Sequence, residues 1–265
     1  VRDCLHEELA QAIGPLNDLY RLPDSVFNDD NVHTVLTGFD MLILRIYYDP
    51  ALRSGMTEAQ AAAALPAILA RLNPQGEGRG QRGGPPTPRS WSTAIETALG
   101  RATTYSQRLK AAQDGLRIAT RAGWRDHRRG FAHYTMGRVL QIKDPTAAQS
   151  HYEAANRYYA DNPGTDLHLA YTATQMAAYA ISRGDGAAAL RLTRRHLDTA
   201  KRAENAALLA TLLLIRSEGL ALEGRVEEAR RVRLDSIGWA RYGFGPDWAV
   251  RAKLREIAAL SPRNG

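Results

Sequence analysis

At 265 residues, with 44% hydrophobic and 24% charged side chains, the chain can bury one large core or two smaller ones and has the balance of an ordinary globular protein, not of a disordered tail. Its 35 Lys+Arg against 28 Asp+Glu give a net charge of +7, but the arginines lie among acids, as in Arg225, Glu227, Glu228, Arg230 and Arg231, and no basic stripe interleaved with aromatics appears. Nucleic-acid binding is therefore not expected, whereas an acidic protein or a membrane surface stays open as a partner.

No stretch reaches the roughly 18 apolar residues needed to cross a bilayer. The single cysteine, Cys4, leaves no disulfide within the sequence. Alanine is abundant, and alanine-rich chains pack as close helices. Residues 2–13 read as a first helix, with Leu5, Leu9 and Ile13 four apart and Gly14-Pro15 as its stop. The stretch Ser25, Val26, Phe27, Asn28, Asp29, Asp30 is a polar turn rich in capping residues. Residues 32–48 predict a second helix with Val35, Phe39, Leu42 and Ile46 on one face. Thr57 and Gln60 form the capping box of a third, running to about Leu72. Residues 73–89 then hold five glycines and four prolines, too many for a helix or a strand ladder, and are expected to link two helical regions.

From Trp91 onward the helical pattern is nearly continuous, and its breaks carry the information. They fall at Asp144-Pro145, Gly184-Asp185 and Gly224-Arg225, 40 residues apart both times. A small residue stands seven positions before each break (Gly137, Ala177, Ser217), and alanine stands five after the last two (Ala189, Ala229); at the first, Gln149 takes that place with Ala148 beside it. Small residues at such offsets let the two helices of a hairpin cross closely, and glycine supplies the positive φ that ends a helix. The same interval puts an earlier turn near residue 104. This pattern resembles the tetratricopeptide signature over residues 91–243, with a period of 40 instead of about 34 and without the usual closing proline. Residues 250–260 read as the helix that caps the last repeat.

The segment His6-Glu7-Glu8-Leu9-Ala10-Gln11 invites comparison with H-E-x-x-H zinc peptidases, which place two imidazoles one helical turn apart around a general-base glutamate. Both registers fail. From His6 the second ligand position holds Leu9 or Ala10, and from Glu7 it holds Gln11.

Even so, the run Cys4, Glu7 to Gln11, Asn17-Asp18, Ser25 to Asp30, Leu36-Thr37, Asp40, Leu44-Arg45, Tyr48-Asp49-Pro50 and Gly55-Met56 resembles a domain family of unknown function. That family occurs in exported proteins of Gram-negative bacteria and is similar to zincin-type metallopeptidases. The resemblance covers about residues 1–72. It implies that Glu8 stands where the peptidase general base sits and Gln11 where a histidine ligand sits, in a site that has lost its imidazoles. It also implies that the domain begins before Val1, with a sheet and a partner for Cys4 there. Asn28, Asp29 and Asp30 read first as a capped turn and second as ligands for a hard cation such as calcium. His127, His133 and His151 fit no ligand spacing, and the glycines between 76 and 84 lack the lysine and the strand of a phosphate loop. Tyr152, Tyr158, Tyr159, Tyr171 and Tyr179 are expected to pack, with a peptide-binding groove as the alternative.

The expected protein is thus all-α. Residues 1–72 form the helical part of a degenerate zincin-like domain, 73–90 a linker, 91–245 a tetratricopeptide-like solenoid, and 246–265 a capping helix and tail. Its expected role is that of a scaffold, adaptor or accessory subunit in the bacterial envelope, holding a protein partner without a cofactor, with membrane association through residues upstream of Val1 left open. The alternative is a metal-dependent hydrolase, with zinc held at an atypical Glu8/Gln11 site.

Overall fold

The computed structural model describes residues 5–15, 19–78, 84–100 and 102–262. These residues carry thirteen α-helices and no strand. They divide into two compact units, Val1–Pro86 and Thr87–Gly265, with the division inside the Gly/Pro-rich stretch; Cys4, Asn17 and Asp18 lie outside the described residues.

The first unit contains α1 (Leu5–Ile13), α2 (Gly38–Tyr47) and α3 (Glu58–Leu72). The helix expected over residues 32–48 begins only at Gly38. Thr37 and Asp40 cap it reciprocally: the Asp40 amide donates to Thr37 Oγ1 at 3.3 Å, and the Thr37 amide donates to Asp40 Oδ2 at 2.8 Å. The residues before Thr37 are needed elsewhere. The Asp40 carboxylate, fully buried, also accepts from Ser25 Oγ at 2.5 Å and from the Val26 amide at 3.1 Å. One carboxylate thus ties the 25–30 turn to the start of α2, and the turn presses Val26 and Phe27 against Ala10, Leu36, Ile43 and Leu44.

The apolar spacing of α1 does not mark its packed face. Leu5, Leu9 and Ile13 remain about half exposed, at 52%, 53% and 53%, while Ala10 is buried. A small residue there allows close approach to α2; nearby, a Cβ added at Gly14 would meet Leu44 Cδ2 at 2.6 Å. Helix α3 starts at the expected Thr57–Gln60 capping box and carries Pro66 on its exposed side, where water can take the carbonyl the ring leaves unbonded. Arg71 near its end pairs with buried Asp49 just after α2.

The second unit contains α4 (Arg89–Leu99), α5 (Tyr105–Arg121), α6 (His127–Leu140), α7 (Pro145–Ala160), α8 (Asp166–Ser182), α9 (Gly186–Arg194), α10 (His196–Arg202), α11 (Ala206–Leu222), α12 (Val226–Phe244) and α13 (Asp247–Ala258). Packing is local: α4 meets α5 and α6, α6 meets α7, α8 meets α9, α10 and α11, and α11 meets α12 and α13. The second helix of successive hairpins starts at 105, 145, 186 and 226, so the interval is 40 or 41 residues, and the earliest turn falls at Thr104, which caps α5 in a box with Gln107.

Four of the helix endings share one construction. After α8 the Gly184 amide donates to the Ile181 carbonyl and the Asp185 amide to the Ala180 carbonyl, with Gly184 at φ 75°. The same pair of bonds recurs after α11 at Gly224, after α5 at Gly123 and after α10 at Glu204. This is the Schellman ending, which places its C′ residue in the left-handed region. Asp185 then caps α9 through the Ala188 amide at 2.8 Å, and Asn205 caps α11 through the Leu208 amide at 3.0 Å.

The small residues lie where helices cross. A Cβ on Gly137 would stand 2.7 Å from the Tyr152 ring, and one on Gly186 would stand 2.5 Å from the Gly219 carbonyl oxygen. Ser217 Oγ donates to the Ala229 carbonyl at 2.9 Å. Helix α11 is apolar almost all round because helices flank it on several sides. At the α4 end, the fully buried Arg128 donates to Asp126 and to Thr87 Oγ1, with its guanidinium 3.9 Å from the Trp124 ring centroid and Trp124 edge-on to Trp91.

Two stability outcomes follow. Glu204 holds a φ of 50° where its counterparts carry glycine, so Glu204→Gly should stabilise the second unit by about 0.5–1 kcal/mol in urea denaturation. Asp40→Ala strips the first unit of a buried acceptor serving three donors and should cost it on the order of 3 kcal/mol; unchanged amide-exchange protection at Val26 and Thr37 would contradict that account.

Candidate functional site: a groove in the second unit

Helices α7, α8, α11 and α13 enclose a cleft of about 840 Å³. Buried Ile215 of α11 and Ile257 of α13 lie against it, with Leu260 beside them. The α7 and α8 walls are polar and joined to each other. Arg183 Nη1 donates to Gln149 Oε1 at 2.8 Å, and Gln149 Nε2 donates to Glu153 Oε1 at 3.0 Å, so an arginine and a glutamate communicate through a neutral amide. On the α13 side, Lys253 Nζ lies 2.7 Å from Glu256 Oε2. These positions meet because the local turns hold successive hairpins in register.

Behind the groove runs a line of tyrosines, Tyr134, Tyr152 and Tyr179, with ring centroids 5.6 and 6.3 Å apart. Tyr152 is fully buried and donates its hydroxyl to Gln141 Oε1 at 3.2 Å; burial raises its pKa, so it remains a donor. The Tyr179 hydroxyl, in the groove wall, is buried and has no partner. Packing, the first role expected for these tyrosines, describes Tyr152 and Tyr159, while Tyr179 also contributes to the groove.

A second polar cluster joins α6 and α7. His133 Nδ1 and His151 Nδ1 are 3.0 Å apart, and His133 stacks on Tyr158 with centroids 5.7 Å apart. Burial pushes His133 down to about 4, helped by His151, Arg129 and Arg157. Burial also lowers His151. A neutral pair follows, one ring donating and the other accepting. Their separation by 18 positions hid this contact from any ligand-spacing search; only the hairpin brings the rings together. The same holds for the groove, whose walls come from residues more than 100 positions apart.

The peptidase-like positions lie on α1. Glu8 is exposed, Glu7 and Gln11 are half-buried, and His6 Nδ1 is 2.7 Å from the Thr34 carbonyl oxygen. In the 25–30 turn, Asn28 donates to Asp30, whose other oxygen accepts from the Val32 amide at 3.1 Å, the bonding of a capped turn. Among the described residues no group of three or more His, Cys, Asp or Glu side chains could hold a metal ion, and no helix is long and apolar enough to cross a membrane.

The chain is therefore, by fold, an all-helical protein with two units. Residues 1–67 match the family described as "Protein of unknown function (DUF2927)", so the first unit carries a domain of that family. No curated protein and no solved structure matches the chain.

His196 is likewise held near 4, mainly by burial, with Arg195 adding and Asp166 opposing. The unfolded chain takes up protons below about 6.5, whereas folded His133 and His196 refuse them until about 4. Their contribution to stability is therefore complete above about 6.5 and lost as the pH falls towards 4. Urea midpoints measured between about pH 7.5 and 4.5 should decline on acidification, and the double change His133→Gln, His196→Gln should flatten the slope. Separately, Tyr179→Phe removes a buried, unpartnered hydroxyl and should raise stability by about 1 kcal/mol, read as a higher melting temperature.

Proposed function

We propose that the second unit is a tetratricopeptide-like array of stacked helical hairpins, and that the protein acts as a scaffold or accessory subunit holding a partner protein in the groove. The observation that carries this reading is the groove itself: a cleft of about 840 Å³, built from helices of successive hairpins and lined by side chains able to donate, accept and make apolar contact. The recurrence of 40 or 41 residues, the repeated Schellman endings and the predominance of packing between helices near in sequence support the array. The first unit fits the same reading as a degenerate zincin-like domain of an exported protein, since its family motifs are occupied in holding the 25–30 turn to α2. On that resemblance we place the protein in the bacterial envelope. A hydrolase using Glu8 and Gln11 is the subordinate reading, because Glu8 is exposed on α1 and no group of three or more His, Cys, Asp or Glu side chains among the described residues could hold a metal ion.

A photoreactive amino acid at Gln175, in the groove, tests the proposal in the native host against the same probe at exposed Arg230 on α12. The groove probe should yield one discrete adduct that the α12 probe does not. Ala178→Trp, which fills the cleft, should abolish that adduct while leaving the melting temperature within a few degrees. Equal adducts from both positions, or an adduct that survives Ala178→Trp, would remove the groove from the function.

A further inference from the structure

With +7 overall, the simplest expectation is that the protein attracts an acidic partner. The groove argues otherwise. Resting on the scaffold reading above, we infer that it takes an uncharged, extended peptide segment bearing an aliphatic side chain, and that it discriminates against acidic segments despite the protein's net charge.

The argument is one of local compensation. The charged side chains that line the cleft are Arg183, Lys253, Glu153 and Glu256. Arg183 reaches Glu153 through the Gln149 carboxamide, and Lys253 pairs directly with Glu256. Outside the lining, exposed Arg138 has its charged form favoured chiefly by Tyr134, with Glu256 adding a small part. Two cations and two anions therefore cancel within the cleft, and the excess arginines lie on other surfaces, such as exposed Arg191, Arg194 and Arg230. An acidic segment seated here meets Glu153 and Glu256 at contact range; a basic one meets Arg183 and Lys253. A segment of either sign therefore meets both attraction and repulsion in the cleft and gains no net charge attraction there. It must break an existing pair and shed its own hydration to bind, while the distant surface charge is screened by salt within about 8–10 Å.

What the groove offers in place of charge is amide chemistry. Gln175 presents a carboxamide on the α8 wall, and Gln149 presents the remaining capacity of another. A carboxamide is donor and acceptor at once, as is each peptide unit of an extended chain, where such units recur about every 3.3 Å. Apolar anchorage is also present. Ile142 stands at the rim with 82% of its surface exposed, and Ile215 and Ile257 lie against the cleft. Tyr179 is the aromatic residue of the lining, with its hydroxyl buried.

Three pools of fluorescent nine-residue peptides test this on the full chain. All contain Val, Leu, Ser, Thr and Gln; one adds nothing, one places Asp and Glu at alternate positions, and one places Lys and Arg there. The uncharged pool should bind at least about tenfold more tightly than either charged pool, with affinity nearly independent of salt, and Ala178→Trp should abolish its binding. Glu153→Gln leaves Arg183 without its distant counter-charge and should shift preference towards the acidic pool. If the wild-type chain prefers the acidic pool, with binding weakened by salt and lost in Ala178→Trp, the inference fails while the groove-binding reading stands. If no pool's binding responds to Ala178→Trp, the groove-binding reading fails and this inference falls with it.

Discussion

The second unit depends on helices approaching closer than ordinary side chains permit. Gly137 lies against the face of Tyr152, Gly186 against the backbone of Gly219, and Gly243 against the backbone of Ala207, each so near that an added Cβ would fall within 2.7 Å of a neighbouring heavy atom. Close crossings of this kind set helix positions sharply, because packed interiors resist even a methylene of change. Those crossings set α7 against α6 and set α11 against α9 and α12, and α7 and α11 are two of the four helices that border the groove. The small residues thus help to position two walls of the groove.

In the first unit a single buried carboxylate has the comparable role. Asp40 accepts from Ser25, from the Val26 amide and from the Thr37 amide, joining an irregular turn to the start of a helix. A buried charge is tolerable only when several donors surround it, and here they do. Part of the run that carries the family resemblance, namely Ser25, Val26, Thr37 and Asp40, is engaged in this arrangement.

Electrostatics divide the second unit by depth. Outer surfaces carry arginines in exposed i, i+3 pairs, such as Arg225 with Glu228 and Arg230 with Glu227, which add little to stability. Inward, charge is compensated for Arg128 and for the groove quartet and suppressed for the neutral pair His133 and His151, while half-buried Arg216 is held by the Leu190 carbonyl. Net charge is a property of the outermost layer here, and it is a poor guide to what the cleft will hold.

Helix endings and their interval were legible in the residues because they are local: a glycine in the left-handed region followed by a capping aspartate acts within a few positions, so Gly184-Asp185 marked the start of α9 without knowledge of the fold. The same locality explains the one helix start misplaced in the first unit. The apolar pattern from Val32 suggested a helix, but Asp40 had partners 14 and 15 positions away, and those bonds placed the start at Gly38. Likewise the stripe of Leu5, Leu9 and Ile13 implied a buried face, whereas close approach favoured Ala10. The groove, the His133–His151 contact and the cancellation of its four charges arise between residues tens of positions apart. Composition and periodicity carry no record of which distant side chains will meet, so these belonged to the tertiary structure alone.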